Sequence, residues 1–245
     1  MTRALRIVLG QEWRLMLVDP FPFMLLVVMP LALVPFFTGG LVGGPVTSVP
    51  GLAALFGFLG IAVIGFAFMR DHGWRTWDRL RASGVAPAVI VAGKALPLLA
   101  LFIAQQVVIL TVGWGLLGMR WTGTLTAGAL MILATALTQV SLGLLVVVHA
   151  TNIHHFNVIV QAGSLVAAGF GGALAPLNLL PDWMQRIAPL SPVYWSLKGL
   201  RGVVALGWGV PEAAKPLAVL AGLSIGAFLL TLQRYRHDEA KTFYI

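Results

Sequence analysis

Charged residues are concentrated in one short stretch of this chain, Arg70 to Pro87, which reads RDHGWRTWDRLRASGVAP. Only 10% of the 245 residues are charged, and apolar runs long enough to cross a bilayer flank the stretch on both sides. Trp74, Trp77 and Leu80 recur at a spacing of three, which on a helix places them on one apolar ridge. The pattern predicts a short helix at the membrane surface that docks against a partner.

Nucleotide chemistry would require a phosphate-binding loop of the form G-x-x-x-x-G-K-[ST], whose backbone amides surround the phosphates. The nearest match is Gly93-Lys94-Ala95, which has Ala88 in place of the first glycine and lacks the hydroxyl that would bind magnesium. We therefore expect no ATP site of this kind on the chain. Any energy from ATP must come through a separate subunit.

Metal and catalytic sites are also not expected. His149, His154 and His155 share one short segment without an obvious carboxylate, which is more typical of polar loop residues than of a metal site. No charged residue falls in the middle of a predicted membrane span. Because ion-coupled carriers and intramembrane hydrolases normally keep ionisable groups there, this argues against both classes. We predict no catalytic residue on this chain.

Uncharged polar residues do occur inside the predicted spans, and two interpretations of them stay open. They are Gln105, Gln106, Thr135, Thr138, Gln139, Ser141, Asn157 and Gln161. Either they form hydrogen bonds between helices, or some of them (Gln105, Gln139 and Gln161 are the candidates) line a path for a largely apolar substrate. Small residues raise a similar choice, because Ser164, Ala168 and Gly172 recur every four residues. Such a stripe permits close helix contact. It either packs within the chain, or forms a dimer contact or one wall of a pathway.

The elements that position these residues are predicted to be membrane helices. The composition is 59% hydrophobic with a mean hydropathy of +0.92, and there is no cysteine. Six segments approach the roughly 20 apolar residues that span a bilayer: 21–41, 51–69, 95–117, 124–148, 158–174 and 213–232. Residues 39–50 are expected to form a loop. Residues 181–204 are amphipathic and are expected to dip into the outer leaflet as re-entrant helices.

Before the first span, residues 3–17 predict an amphipathic helix in the membrane interface, ended by Asp19-Pro20 because a residue before proline avoids the α region. Glu12 lies within its apolar arc. The carboxylate either extends to water or a nearby arginine, or forms a fixed ion pair with a cytoplasmic helix such as the Arg70–Pro87 stretch.

Charge counting gives the orientation. Lysines and arginines number 11 on the side of both termini and the 70–94 loop, and 5 on the other. Because positive charge collects on the cytoplasmic side, both termini and this loop are expected there. The net charge of +8 is therefore attributed to membrane orientation, and no nucleic-acid partner is expected.

Three motifs resemble the membrane subunit of type-2 ABC exporters, the permeases of drug, antibiotic, lipid and polysaccharide efflux systems. Glu12-Trp13-Arg14 with Asp19-Pro20 resembles the family's entry motif. Residues 76–83 (TWDRLRAS) resemble its cytoplasmic motif, and residues 180–185 (LPDWMQ), 190–195 (LSPVYW) and 199–202 (GLRG) resemble its signature before the last span. Arg75 stands where the family usually has glycine, and we expect it to select the partner.

The resemblance implies a function and an assembly. Two permeases, either copies of this chain or this chain with a paralogue, would pair with two cytoplasmic ATPase subunits that carry ATP and Mg²⁺, in a bacterial plasma membrane. Residues 72–84 would be the coupling helix, residues 3–17 the interface helix with Glu12, Trp13 and Arg14, and the first and fifth spans the dimer contact. Contacts to the ATPase would come from Arg70, Asp71, Trp74, Arg75, Trp77, Asp78, Arg79 and Leu80.

The substrate expected from this resemblance is an amphiphilic drug-like or lipid-like molecule, with a lipid-linked glycan or polysaccharide as the alternative. Two other classes of function stay open. A secondary carrier or channel would need no ATPase, and a membrane enzyme would need more ionisable groups than this chain offers.

Overall fold

The computed structural model describes residues 2–36, 44–73 and 84–234, and these residues form helices and connections with no β-strand. The helices are α1 (Thr2–Val18), α2 (Pro20–Phe36), α3 (Gly44–Leu59), α4 (Ile61–Gly73), α5 (Pro87–Leu116), α6 (Leu125–His149), α7 (Ile153–Gly171), α8 (Asp182–Ile187), α9 (Pro192–Leu206) and α10 (Val210–Arg234). The predicted all-α fold class is confirmed, because every regular element in the described ranges is a helix.

Within the described ranges, four helical segments are long and apolar enough to cross a membrane. They are Gly44–Asp71 (α3 with α4), Ala88–Leu116, Leu125–His149 and Val210–Arg234. A fifth is added if the bent pair Arg3–Val18 and Pro20–Phe36 counts as one span. The predicted count of six is not confirmed. Helix α7 has 19 residues, but His154, His155 and Asn157 near its start lower its hydropathy.

The bend between α1 and α2 is 71°. Asp19 has an extended backbone (φ −88°, ψ 112°), as expected before proline, and its Oδ1 accepts a hydrogen bond from the Phe21 amide at 3.0 Å. On α1 itself Val8 and Glu12 are buried, whereas Ile7, Leu17 and other apolar side chains are exposed. One face of α1 therefore packs on the protein and another stays apolar and uncovered.

The start of α3 differs from the sequence prediction. Residues 39–50 were predicted to be a loop, but residues 44–50 are helical and belong to α3, with Pro50 inside the helix. Buried contacts explain the difference, because Ser48, Val49 and Pro50 are all buried and proline is tolerated where neighbouring helices surround the backbone. Helices α3 and α4 occupy the centre of the fold, in contact with α5, α6, α7 and α9.

The segment after α7 folds into short helices. Gly172 ends α7 with a left-handed φ of +80°, a conformation that favours glycine. Helix α8 has 6 residues and α9 has 15, so neither is long enough to span a bilayer. The Ser191 hydroxyl caps α9 at the Val193 amide (3.2 Å) and donates to the Ala167 carbonyl of α7 at 2.7 Å.

Candidate functional site: a buried ion cluster

A lysine is buried at the start of α5. The Lys94 side chain is 1% exposed, and its Nζ lies 2.6 Å from Glu12 Oε1 and 2.6 Å from Asp71 Oδ2. Nζ also donates to the Ala67 carbonyl at 2.9 Å. A buried cation is stable only when it is paired and hydrogen-bonded. Lys94 meets this condition through two carboxylates that come from different helices.

Glu12 completes the cluster from α1. Its Oε1 accepts from Lys94 and its Oε2 accepts from Arg70 Nη2 at 2.9 Å, so the carboxylate bridges two cations. The residue is 3% exposed. Of the two interpretations of Glu12 in the sequence, the structure shows the fixed ion pair, and its partner Arg70 opens the charged stretch. We refer to Glu12, Arg70, Asp71 and Lys94 as the ion cluster.

Close packing of α1 against α5 brings these charges together. A Cβ atom on Gly93 would lie 2.6 Å from Val8 Cγ1 and 2.8 Å from Val8 Cβ. Glycine is therefore required at this position for the two helices to approach as they do. Because Gly93 immediately precedes Lys94, the same contact fixes the lysine at the level of Glu12.

The ion cluster ties three elements to one another. Glu12 lies on α1, Arg70 and Asp71 lie in the last turn of α4, and Lys94 lies near the start of α5. In sequence, residues 74–83 separate Arg70 and Asp71 from Lys94. Two positive and two negative side chains balance within the cluster, so it is neutral as a unit.

The other six residues predicted to contact an ATPase all lie outside the residues that the structure describes. Trp74, Arg75, Trp77, Asp78, Arg79 and Leu80 lie outside the described residues, as does most of the predicted coupling helix 72–84. Of the predicted interface residues, Trp13 and Arg14 are exposed on α1.

The polar residues inside the bundle are mainly buried. Gln105 is fully buried and donates from Nε2 to the Ala53 carbonyl at 3.0 Å, a hydrogen bond between α5 and α3. Gln139 is also fully buried, beside Gly57, where a Cβ atom would lie 2.3 Å from its Nε2 and 3.3 Å from Gln105 Oε1. Gly57 thus provides the space that the two amides occupy. Gln161, in contrast, is exposed on α7.

Small residues on α7 pack within the chain. Ser164 is 5% exposed and donates to the Phe58 carbonyl of α3 at 2.8 Å, and Ala168 is fully buried. Gly172 is buried as well. These contacts support the internal-packing interpretation of the stripe, and its role as a dimer contact or pathway wall stays a prediction. The exposed side chains of α7 are larger, including Val158, Leu165 and Val166.

Two of the three histidines around the connection between α6 and α7 make local contacts. His149 Nδ1 lies 2.8 Å from the Leu145 carbonyl, and His155 Nδ1 lies 3.4 Å from the Thr151 hydroxyl. In the part of the chain that the structure describes, no group of three His, Cys, Asp or Glu residues is placed to hold a metal ion.

Two positions of interest were not assigned by sequence reasoning. The sequence analysis places Lys94 in an incomplete phosphate-binding motif and in the charge count of the 70–94 loop, although a single lysine within an apolar helix is itself a signal of a buried partner. Arg201 was considered only as a motif residue. Its Nη2 donates to the Thr47 and Gly172 carbonyls at 3.0 and 3.1 Å, joining α9 to α3 and to the end of α7.

Comparison with known proteins identifies the family. Residues 3–204 match the family model described as ABC-2 type transporter. The linearmycin resistance permease protein LnrN of Bacillus subtilis (strain 168) is 27% identical over 165 residues, which are 65% of this chain and 41% of the relative. The chain thus matches about two fifths of that relative's length. The family match includes α1, the ion cluster and α9, and the chain belongs to the ABC-2 type transporter family of membrane permeases.

Proposed function

We propose that this chain is the transmembrane subunit of an ATP-driven exporter, energised by a separate cytoplasmic ATPase. The ion cluster is the observation that carries the proposal. Because it joins α1, α4 and α5 on both sides of residues 74–83, a force applied to that segment would reach three helices together. A channel that needs no external motor has no evident use for such a fixed connection.

In this proposal residues 72–84 form the coupling helix. Trp74, Trp77 and Leu80 would dock on the ATPase, and Arg75 would help to select it. Two ATPase subunits and a second permease, either a copy of this chain or a paralogue, would complete the transporter. Closure of the two ATPase subunits would then move the attached helices as rigid elements. This movement would open the transport pathway to one side of the membrane and close it to the other.

The proposed topology has six spans in a bacterial plasma membrane, with α2 and α7 added to the four helical segments that qualify by length and composition. Both termini and residues 70–94 would be cytoplasmic. Helix α1 would lie in the interface, which is supported by its exposed Ile7, Leu17 and Val18. Residues 181–204 would be re-entrant on the outer side. Exposed apolar side chains on α2 and α7, such as Phe36 and Val166, are available for contact with a second permease.

The proposed substrate is an amphiphilic drug-like or lipid-like molecule that moves out of the cytoplasm or inner leaflet. Two observations support it. LnrN is named as a resistance permease. The chain also has a mainly apolar cleft of about 860 Å³ between α5 and α6, lined by Ile103, Trp114, Trp121 and Ile132 among others. A lipid-linked glycan is the alternative substrate, and a strongly hydrated polymer fits such a lining less well.

Reconstitution with the candidate ATPase tests the proposal. Trp74→Ala and Trp77→Ala should each abolish stimulation of ATP hydrolysis by the permease while leaving its unfolding temperature unchanged. Trp183→Ala is the matched control, because Trp183 is 59% exposed on α8, far along the chain from the coupling segment, and should keep full stimulation.

Two results would contradict the proposal. One is normal stimulation in both tryptophan variants, which would refute the coupling role of residues 72–84. The other is substrate movement into vesicles by the purified permease without any ATPase, which would identify a secondary carrier or channel.

A further inference from the structure

A second pocket, separate from the ion cluster, lies against α9. It has a volume of about 280 Å³. Tyr194, Lys198 and Arg201 line it at spacings of four and three, which places them on one face of α9. Its apolar wall includes Leu177, Leu197 and Trp208. The pocket therefore combines cationic and phenolic groups with an apolar surface.

The pocket lies at the opposite end of the bundle from the ion cluster. Arg201 binds the Thr47 carbonyl near the start of α3, whereas Arg70 lies at the end of α4. At a rise of 1.5 Å per residue, these two positions on the α3–α4 span are roughly 35 Å apart. The charge count that predicts a cytoplasmic ion cluster therefore predicts that this pocket faces the outside.

Arg201 is a largely buried cation without a carboxylate partner in the described part of the chain. Its Nη2 is satisfied by two backbone carbonyls, while its Nε is buried and has no hydrogen-bond partner among the described residues. Burial lowers the pKa of Arg201 to about 10, so the guanidinium remains charged at neutral pH. Buried charges are normally paired with an opposite charge, and here that charge is missing.

Lys198 adds a second positive charge at the mouth of the pocket. Its Nζ lies 3.3 Å from the Tyr194 hydroxyl and 5.5 Å from the ring centroids of both Tyr194 and Trp195. These contacts hold the ammonium over aromatic faces and leave it available to an anion. Over residues 2–36, 44–73 and 84–234, no acidic side chain lines this pocket.

We propose that this pocket binds the anionic head of an amphiphile, a phosphate or carboxylate attached to an alkyl chain. Lys198 and the Tyr194 hydroxyl would bind the anion, and the field of Arg201 would stabilise it. Leu177, Leu197 and Trp208 would contact the first carbons of the chain. A volume of about 280 Å³ is near the lower end for ligand pockets, so most of the alkyl chain would extend out of the pocket.

Binding of dodecyl phosphate to the purified full chain in nonionic detergent, measured by calorimetry, tests this site. Lys198→Gln should weaken binding by about tenfold, since it removes one charge-assisted contact, and Lys198→Glu should weaken it further. Lys215→Gln is the matched control, because Lys215 also lies near the Trp195 ring (5.8 Å) but does not line the pocket. Its affinity should equal that of the unmodified protein.

Dodecanol, which lacks the charge, should bind far more weakly than dodecyl phosphate. Equal affinities for the two ligands, or an unchanged affinity in both Lys198 variants, would overturn the proposal. Because Arg201 also holds α9 to α3, its substitution is not a clean test, whereas Lys198 is exposed and its variants should fold normally.

Competition between dodecyl phosphate and lipids, measured with the protein in nanodiscs, distinguishes the two possible sources of the anion. If phosphatidylglycerol displaces dodecyl phosphate and phosphatidylcholine does not, the occupant is an anionic membrane lipid. If neither lipid displaces it, the occupant is a free anionic amphiphile. These binding measurements need no ATPase, so their failure would be distinct from failure of the proposed export function.

Discussion

Replacing Glu12 by Gln tests whether the ion cluster holds the fold together as well as joining three helices. The substitution keeps the shape of the side chain but removes the charge that faces both Lys94 Nζ at 2.6 Å and Arg70 Nη2 at 2.9 Å. The cluster would change from two positive and two negative groups to two positive and one negative. With Lys94 1% exposed, water cannot compensate, and loss of one partner from a buried ion pair costs about 3–5 kcal/mol.

Thermal unfolding followed by intrinsic tryptophan fluorescence measures this cost. For a chain of this size, each kcal/mol lowers Tm by about 2–4 °C, so Glu12→Gln should lower it by about 6–20 °C. Glu212→Gln is the control, because Glu212 is an exposed first-turn residue that accepts a hydrogen bond from the Gly209 amide. The Glu212→Gln substitution should change the free energy of unfolding by less than about 1 kcal/mol.

A double variant makes the prediction sharper. Lys94→Met alone should destabilise the protein as Glu12→Gln does. When both substitutions are present, one positive side chain (Arg70) and one negative side chain (Asp71) remain, so the charges balance. The double variant should therefore be more stable than the sum of the single effects predicts, by about 2–3 kcal/mol. The reasoning would be refuted if Glu12→Gln changed Tm by less than about 2 °C, which corresponds to a loss of unfolding free energy of less than roughly 1 kcal/mol. Strict additivity of the two single effects in the double variant would refute it as well.

Two further substitutions test the helix contacts around the site. Gly93→Leu should destabilise the protein by about 1–3 kcal/mol through overpacking against Val8. Adding Val8→Ala to the same chain should recover part of this loss. The unfolding temperatures of the two single variants and the double variant check this. Ser164→Ala should cost only about 0.6 kcal/mol, the average for a hydrogen bond between membrane helices, and any large loss in the same assay would show that Ser164 does more than bind the Phe58 carbonyl at 2.8 Å.

Local chemistry made several features predictable from sequence. The bend at Asp19-Pro20 follows from proline sterics and is present in the structure at 71°. Glu12 within an apolar arc indicated a possible ion pair, and the structure pairs it with Arg70. These features depend on residues that are close in sequence or on an obvious conflict between charge and burial.

Features that depend on packing between distant segments were not predictable in this way. The sequence presents Lys94 only as part of an incomplete phosphate-binding motif, because nothing local indicates its contact with Glu12, 82 residues away. The sequence of the stripe at Ser164 and Ala168 fits a dimer contact and internal packing equally well, and the contact of Ser164 with α3 is visible only in the fold. Similarly, the sequence predicts a loop where the first turns of α3 lie, because Pro50 and the neighbouring glycines indicate turns when burial is unknown.

Lys94 also has a consequence for biogenesis. During synthesis α1 emerges before α5, so Glu12 is already at the membrane when Lys94 arrives. If α1 were missing or displaced, Lys94 would meet apolar surroundings with Asp71 as its nearest carboxylate, and α5 would be held back toward the water. We therefore expect correct insertion of α5 to depend on the N-terminal helix, because Glu12 is bound by Lys94, 82 residues later, and we expect chains that lack α1 to be degraded.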